Sequence, residues 1–264
     1  MHNHNIDEVV YNSRMLNWSP LGKFILVIFL LVASLLADSL VVPIVVFVIG
    51  ASLLFYSTNF KIPKIVGLAL GGAALTIFVG CIVILFVTAG ENMLFQGTFL
   101  GIGYSITDGG LRLATLVLVR SIAGMTVMLS FATSTPVPYL AHAMRQVHIP
   151  KELSELVILI YRYSFLLLEE LHTMWTAASC RLGFHGLKNR FRTTSKIAVG
   201  LFIRSIDITD RAQIALQCRN FNGEFPSYRL PKNISAVWIA VPILSFILLY
   251  LLNICTRGWI IIGA

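Results

Sequence analysis

The sequence predicts an all-α fold: a polytopic membrane helix bundle of about five spans, with long cytoplasmic helices attached to it. Three observations predict this. Of 264 residues, 57% are hydrophobic and only 12% are charged, whereas a soluble domain of this size needs a charged, solvated surface. The apolar residues fall in runs close to the roughly 20 that a helix needs to cross a bilayer core. The formal charge of +8 is concentrated: 13 of the 20 Lys and Arg lie between Thr133 and Asn233, against seven acids. Basic residues beside membrane helices mark the cytoplasmic side rather than nucleic acid, and no module combining aromatic and basic residues for nucleic-acid binding is visible.

The elements follow in order. Met1–Ser19 is polar and does not read as a cleavable signal, so the first apolar helix is expected to direct insertion. Phe24–Ala37 and Leu40–Tyr56 read as two short spans turning at Asp38-Ser39. One continuous helix is the alternative, and Pro43 would kink it. After the basic loop Asn59–Lys64, a third span covers Ile65–Val87, where Gly67, Gly71, Gly72 and Gly80 would permit close helix approach. Thr88–Asp108 carries Glu91 and Asp108 and no Lys or Arg, which places it outside; within it Phe99–Ile106 is too short to span and reads as interfacial or re-entrant. A fourth span, about Gly109–Ala132, holds Arg112 and Arg120 on roughly one face, for which a structural role is expected. A last span covers about Ser235–Asn253. Counting basic loops puts the N-terminus inside and gives three regions: a membrane domain at 1–132, a cytoplasmic domain at 133–234, and a final span and tail at 235–264.

The cytoplasmic region opens with Thr133-Ser134-Thr135-Pro136, where Pro136 and Pro138 stop the fourth helix. A short amphipathic helix, about Tyr139–Val147, precedes Pro150. Lys151–Cys180 contains no Gly or Pro and carries an apolar face of helical period, with Glu152 and Glu155 complementing its first turn. Gly183 and Gly186 are expected to cap its end. A basic turn (Lys188, Arg190, Arg192, Lys196) leads to a second long helix, about Thr194–Cys218. Arg162 is expected to pair with Glu155 or Glu169, and Asp207 and Asp210 with Arg204 and Arg211 along their own helix.

The two helix ends repeat: Cys180-Arg181-Leu182-Gly183-Phe184-His185-Gly186 and Cys218-Arg219-Asn220-Phe221-Asn222-Gly223, with the arginines 38 positions apart. Small residues lead into each: Ala177, Ala178 and Ser179, then Ala212 and Ala215. Small residues allow close approach, and a guanidinium offers planar, bidentate bonding to carboxylates or carbonyls in a groove. Two such tips suit a pseudo-symmetric pair of partners. No catalytic constellation is evident: there is no HExxH, no nucleophile with a base, and no GxxxxGK[ST] phosphate loop. The four cysteines form no CxxC pair. His2 and His4 could meet a divalent metal, but no specific metal site is expected there.

The runs IPKELSELVILIYRYSFLLLEELHTMWTAASCRLGFHG and FIRSIDITDRAQIALQCRNFNG closely resemble the transmembrane T component of energy-coupling-factor ABC transporters, in particular the CbiQ type of cobalt and nickel uptake systems. That family's signature is a pair of Ala-Arg-Gly-like motifs. Both arginines match, at Arg181 and Arg219; the flanking Ala and Gly are replaced, and Gly183 follows one residue late. The resemblance implies long coupling helices, with Cys180, Arg181, Leu182, Gly183, Cys218, Arg219, Asn220 and Gly223 contacting ATPase subunits. It implies two cytoplasmic ABC ATPases, a substrate-capturing membrane subunit and a small accessory membrane subunit as partners. ATP would be used by the partners, and no cofactor or metal would be bound by this chain, which would sit in the inner membrane with cobalt, then nickel, then a vitamin as the order of expected substrates.

Overall fold

The computed structural model describes residues 10–37, 39–60, 63–87, 93–99, 102–221 and 236–256. His2, His4, Asp38, Glu91 and Gly223 lie outside them. The chain divides into two compact units, one of Met1–Tyr139 with Pro231–Ala264, the other Leu140–Leu230.

The first unit contains α1 (Pro20–Leu36), α2 (Val41–Ser57), α3 (Lys64–Val87), β1 (Met93–Phe99), β2 (Ile102–Thr107), α4 (Asp108–Ser134) and α8 (Ala236–Thr256). Ser19 caps α1, its Oγ accepting from the Gly22 N–H at 3.5 Å, and Pro20 supplies a preset φ at the first helical position. The chain is extended at Ala37 and helical again from Val41. Two helices therefore replace the single-helix alternative. Pro43 stands in the first turn of α2, where the missing N–H has no intrahelical acceptor to lose.

Val27, Leu30, Ala33 and Ala37 meet Val42 and Val46 of α2, Ala123 and Val127 of α4 and Leu249 of α8 in one buried cluster. Two glycines set the closest approaches. A β-carbon on Gly50 would lie 2.8 Å from Val127 Cγ2, and one on Gly22 would lie 3.0 Å from Trp238 Cβ. Of the third span's glycines, Gly71, Gly72 and Gly80 make no close approach among the described residues: a β-carbon on any of them would meet nothing within 4 Å. Neighbouring Leu68 is 80% exposed. The segment expected to be interfacial or re-entrant forms part of an antiparallel hairpin, with Phe99 opposite Ile102 and Thr98 opposite Gly103. Pairing satisfies the backbone of each strand by the other. This is the one departure from helix among the described elements, and the bundle remains helical.

α3 from Val66 to Leu85 and α4 are long and apolar enough to cross a membrane; α1, α2 and the Ala240–Thr256 part of α8 are shorter apolar helices. Trp18 lies 5.0 Å from Trp238 and 6.0 Å from Tyr56, ring centre to ring centre, grouping the start of α1, the end of α2 and the start of α8. Aromatic residues collect at membrane–water interfaces. Lys23 is 5% exposed, and its Nζ donates to the Ser134 carbonyl at 2.8 Å. α4 has no basic residue in its last turn, so a cation from α1 meets the negative end of its dipole. Ser57 Oγ donates to Thr133 Oγ1 at 3.3 Å, adding a second tie to the same helix end. Elsewhere in this unit Arg120 Nη2 donates to the Ala37 carbonyl at 2.6 Å, satisfying a group that the end of α1 leaves open. That is the structural role expected for Arg120.

The second unit holds most of α5 (Val137–Gln146), then α6 (Lys151–Cys180) and α7 (Leu187–Cys218). α7 begins earlier than the sequence predicts. The stretch Lys188–Lys196 is helical because Lys and Arg are good helix formers, and the connection shrinks to the residues between Cys180 and Leu187.

Candidate functional site

The ends of α6 and α7 close in the same way. Arg181 and Arg219 are the C-cap residues. The next residue is left-handed in both, Leu182 at φ 54° and Asn220 at φ 51°. At the first tip the Leu182 N–H donates to Ser179 O (3.0 Å) and the Gly183 N–H to Ala178 O (2.9 Å). At the second, the Asn220 N–H donates to Gln217 O (3.0 Å) and the Phe221 N–H to Leu216 O (3.1 Å). Both pairs are the nested bonds of a Schellman motif in one register. The repeat seen in sequence is thus a repeat of backbone geometry. Cys180, Arg181, Cys218, Arg219 and Asn220 are all exposed.

The capping residues differ from those expected. The left-handed position at the first tip belongs to Leu182, not Gly183, and Gly186 (φ 80°) is the N-cap of α7. Gly183 is needed for space instead: a β-carbon there would stand 3.0 Å from Ala178 O and 3.1 Å from the Thr193 side chain. Three contacts that no spacing rule reveals hold the loop after it. Thr193 Oγ1 donates to Gly183 O at 2.7 Å, Arg190 Nε donates to Phe184 O at 3.2 Å, and Phe184 stacks on Trp175 at 4.4 Å.

Charged side chains along the helices pair across elements. Arg145 of α5 donates to Glu155 at 2.8 Å, and Arg204 of α7 lies 3.1 Å from Glu170 of α6. Arg162 takes neither expected partner. Glu155 and Glu169 are each seven residues away, two turns along the helix, whereas facing pairs are three or four apart. Arg211 Nε donates to the Asp207 backbone carbonyl at 3.1 Å rather than to a carboxylate. Along the α6–α7 seam lie two open clefts of about 270 and 480 Å³, the first lined by Leu159, Tyr163, Leu216 and Phe221, the second by Glu169, Glu170, Arg204 and Arg211. His142 on α5 is held below the usual histidine pKa, first by burial and then by the Arg145 charge. Among the described residues no three His, Cys, Asp or Glu group to hold a metal.

The two rod ends thus carry matched caps and exposed guanidiniums. Residues 12–230 match the family described as CbiQ, cobalt transport protein. The chain belongs to the CbiQ cobalt transport protein family. With its apolar helices, this CbiQ-family chain is a membrane protein. It is similar along 97% of its length to an uncharacterized protein of Methanocaldococcus jannaschii, at 28% identity and covering 95% of that protein. It is 32% identical over 46% of its length to the cobalt transport protein CbiQ of Rhodobacter capsulatus, covering half of it. It is also 32% identical over 54% of its length to a putative fused cobalt transport protein CbiMQ of Methanocorpusculum labreanum, covering 24% of that chain. The position after each arginine, where the resembling family's motif carries Gly, is the left-handed residue of each cap. Glycine takes that conformation at least cost, which gives the motif a physical reason.

Proposed function

We propose that this chain is the transmembrane coupling (T) subunit of an energy-coupling-factor importer that takes up cobalt. Arg181 and Arg219 dock two cytoplasmic ABC ATPase subunits, and α6 and α7 carry their motion to a substrate-capturing membrane subunit, with a small accessory membrane subunit completing the assembly. ATP is bound and hydrolysed by the partners; this chain binds no cofactor and catalyses no reaction. It lies in the plasma membrane as a multi-pass protein with its N-terminus in the cytoplasm.

The observation that carries this reading is the pair of matched caps. A force-bearing contact needs a rigid element behind it, and α6, with 30 residues, is a lever of roughly 45 Å at 1.5 Å per residue. Each lever ends in a group that bonds carboxylates or carbonyls in a fixed plane. Two like ends on one chain suit two like partners. The relative carrying the name CbiMQ joins a CbiQ-type segment to a longer remainder, which supports a membrane partner beside this chain.

The test is replacement of both arginines, Arg181→Ala with Arg219→Ala, followed by affinity purification from membranes and cobalt uptake. The double variant inserts normally, loses the ATPase subunits and loses uptake; each single variant loses less. Normal assembly and transport by the double variant would falsify the docking reading.

A further inference from the structure

We propose that Leu182 is an apolar anchor that makes the first tip the stronger of the two docking ends, seated in an apolar pocket at the mouth of the ATPase groove. The proposal rests on the reading of the tips as ATPase docking ends. Its starting point is a residue that is wrong for its place by two independent criteria. Leu182 has φ 54°, where a β-carbon is disfavoured and where Gly or Asn fits readily. Its side chain is also 77% exposed, so burial within the chain does not offset that conformation. Local inconsistencies of this kind collect where a side chain serves a partner.

Its surroundings agree. Leu187 is 76% and Phe191 77% exposed, and their spacing of four puts them on one face of α7. Lys188, Arg190 and Arg192 are their neighbours in sequence, and no acid occurs from Arg181 to Lys196. The Thr193, Arg190 and Trp175 contacts hold the loop in place before any partner arrives, and such preorganisation favours tight binding. The second tip has the same backbone with different chemistry. Asn220, a residue suited to the left-handed region, stands in place of Leu182, and Asp207 and Asp210 lie on the helix that leads to it. One tip therefore presents an apolar knob within a basic rim, and the other a polar end. A groove with an acidic edge and an apolar floor fits the first. Because Leu182 directly follows Arg181 in the chain, the occupant is the ATPase subunit that Arg181 engages.

The experiment uses the full-length chain in detergent and the soluble ATPase subunit that co-purifies with it from native membranes. Leu182→Gly and Leu182→Asn are compared with Asn220→Gly and with the double arginine variant. Relief of the left-handed leucine raises the Tm of the isolated chain by roughly 2–4 °C. The same change weakens ATPase binding by roughly tenfold or more, as loss of a central apolar anchor does. Asn220→Gly leaves the Tm nearly unchanged and weakens ATPase binding less than either Leu182 variant does. Wild-type ATPase affinity in both Leu182 variants overturns the anchor, and so does a fall in Tm that parallels the lost binding. A loss confined to binding of phosphatidylglycerol vesicles, with ATPase affinity intact, also overturns it, by assigning the patch to lipid. If the double arginine variant binds the ATPase normally, the docking reading itself fails; if that variant loses binding while both Leu182 variants keep it, only the anchor fails.

Discussion

Replacing Gly50 and Gly72 by alanine should change stability in opposite directions. Both glycines lie in apolar helices, and sequence gives no reason to separate them. In the structure a β-carbon on Gly50 would stand 2.8 Å from Val127 Cγ2, 3.0 Å from Thr126 Oγ1 and 3.1 Å from the Val127 backbone nitrogen. Comfortable carbon contacts are about 3.5–4.0 Å, so α2 and α4 would have to part by roughly half an ångström. Val127 is fully buried and, being β-branched, holds a single helical rotamer, so it cannot swing aside. Overpacking of this kind costs about 1–3 kcal/mol, against a gain of up to about 1 kcal/mol in helix propensity for Gly→Ala. With the propensity gain taken in full, the net expectation is a loss of up to about 2 kcal/mol for Gly50→Ala. A β-carbon on Gly72 meets nothing within 4 Å, so Gly72→Ala keeps the propensity gain. Thermal or denaturant unfolding in detergent reads the two signs directly. Equal stabilities, or a more stable Gly50→Ala, would show that α2 and α4 do not meet as described.

The elbow between α5 and α6 supplies two further tests. Arg145→Met leaves Glu155, whose side chain is 10% exposed, without its partner; since Arg145 itself keeps 31% exposure, the expected loss is about 1–3 kcal/mol, and the charge-swapped double variant should recover part of it on thermal unfolding. His142 gives a pH signature. Its folded pKa lies below the ordinary histidine value of 6.5, so between the two values the unfolded chain binds more protons than the folded one. Stability is therefore full above about pH 6.5 and declines as pH falls toward the folded pKa; His142→Gln should flatten that decline, and a pH titration of Tm that keeps its slope in the variant would refute the assignment.

The apolar runs made the bundle legible, because lipid leaves a chain few alternatives to helix. The hairpin between Met93 and Thr107 was less so: its strands are only 7 and 6 residues long, and pairing between segments leaves no helical period to detect. The arginine tips stood out through the repeated Cys-Arg. What spacing could not give was which residue would turn left-handed. Gly183 was the natural choice by propensity, yet its β-carbon space is filled by Ala178 and Thr193, and the turn falls on Leu182. Lys23 went unread for a different reason. A lone lysine at the start of an apolar run looks like a flank, and only the fold brings the Ser134 carbonyl, 111 residues on, to within 2.8 Å of it. Arg145–Glu155 and Arg204–Glu170 likewise join separate helices, whereas sequence rules rank only partners on the same helix.

The two caps share a backbone but not the residue that usually produces it. Glycine is the common means of entering the left-handed region after a helix, and neither Leu182 nor Asn220 is glycine. In each tip the turn is instead held by two nested hydrogen bonds to the last turn of a long helix. Because the chain leaves the helix axis immediately after each arginine, Arg181 and Arg219 remain at the very end of their rods and exposed. Geometry that survives the loss of its favoured residue leaves that residue's side chain available for another use. A polar Asn at one tip and an apolar Leu at the other can then tune two otherwise equal contacts independently. On that basis swapping the third residues, Leu182→Asn together with Asn220→Leu, should transfer the stronger grip from one tip to the other without disturbing either cap.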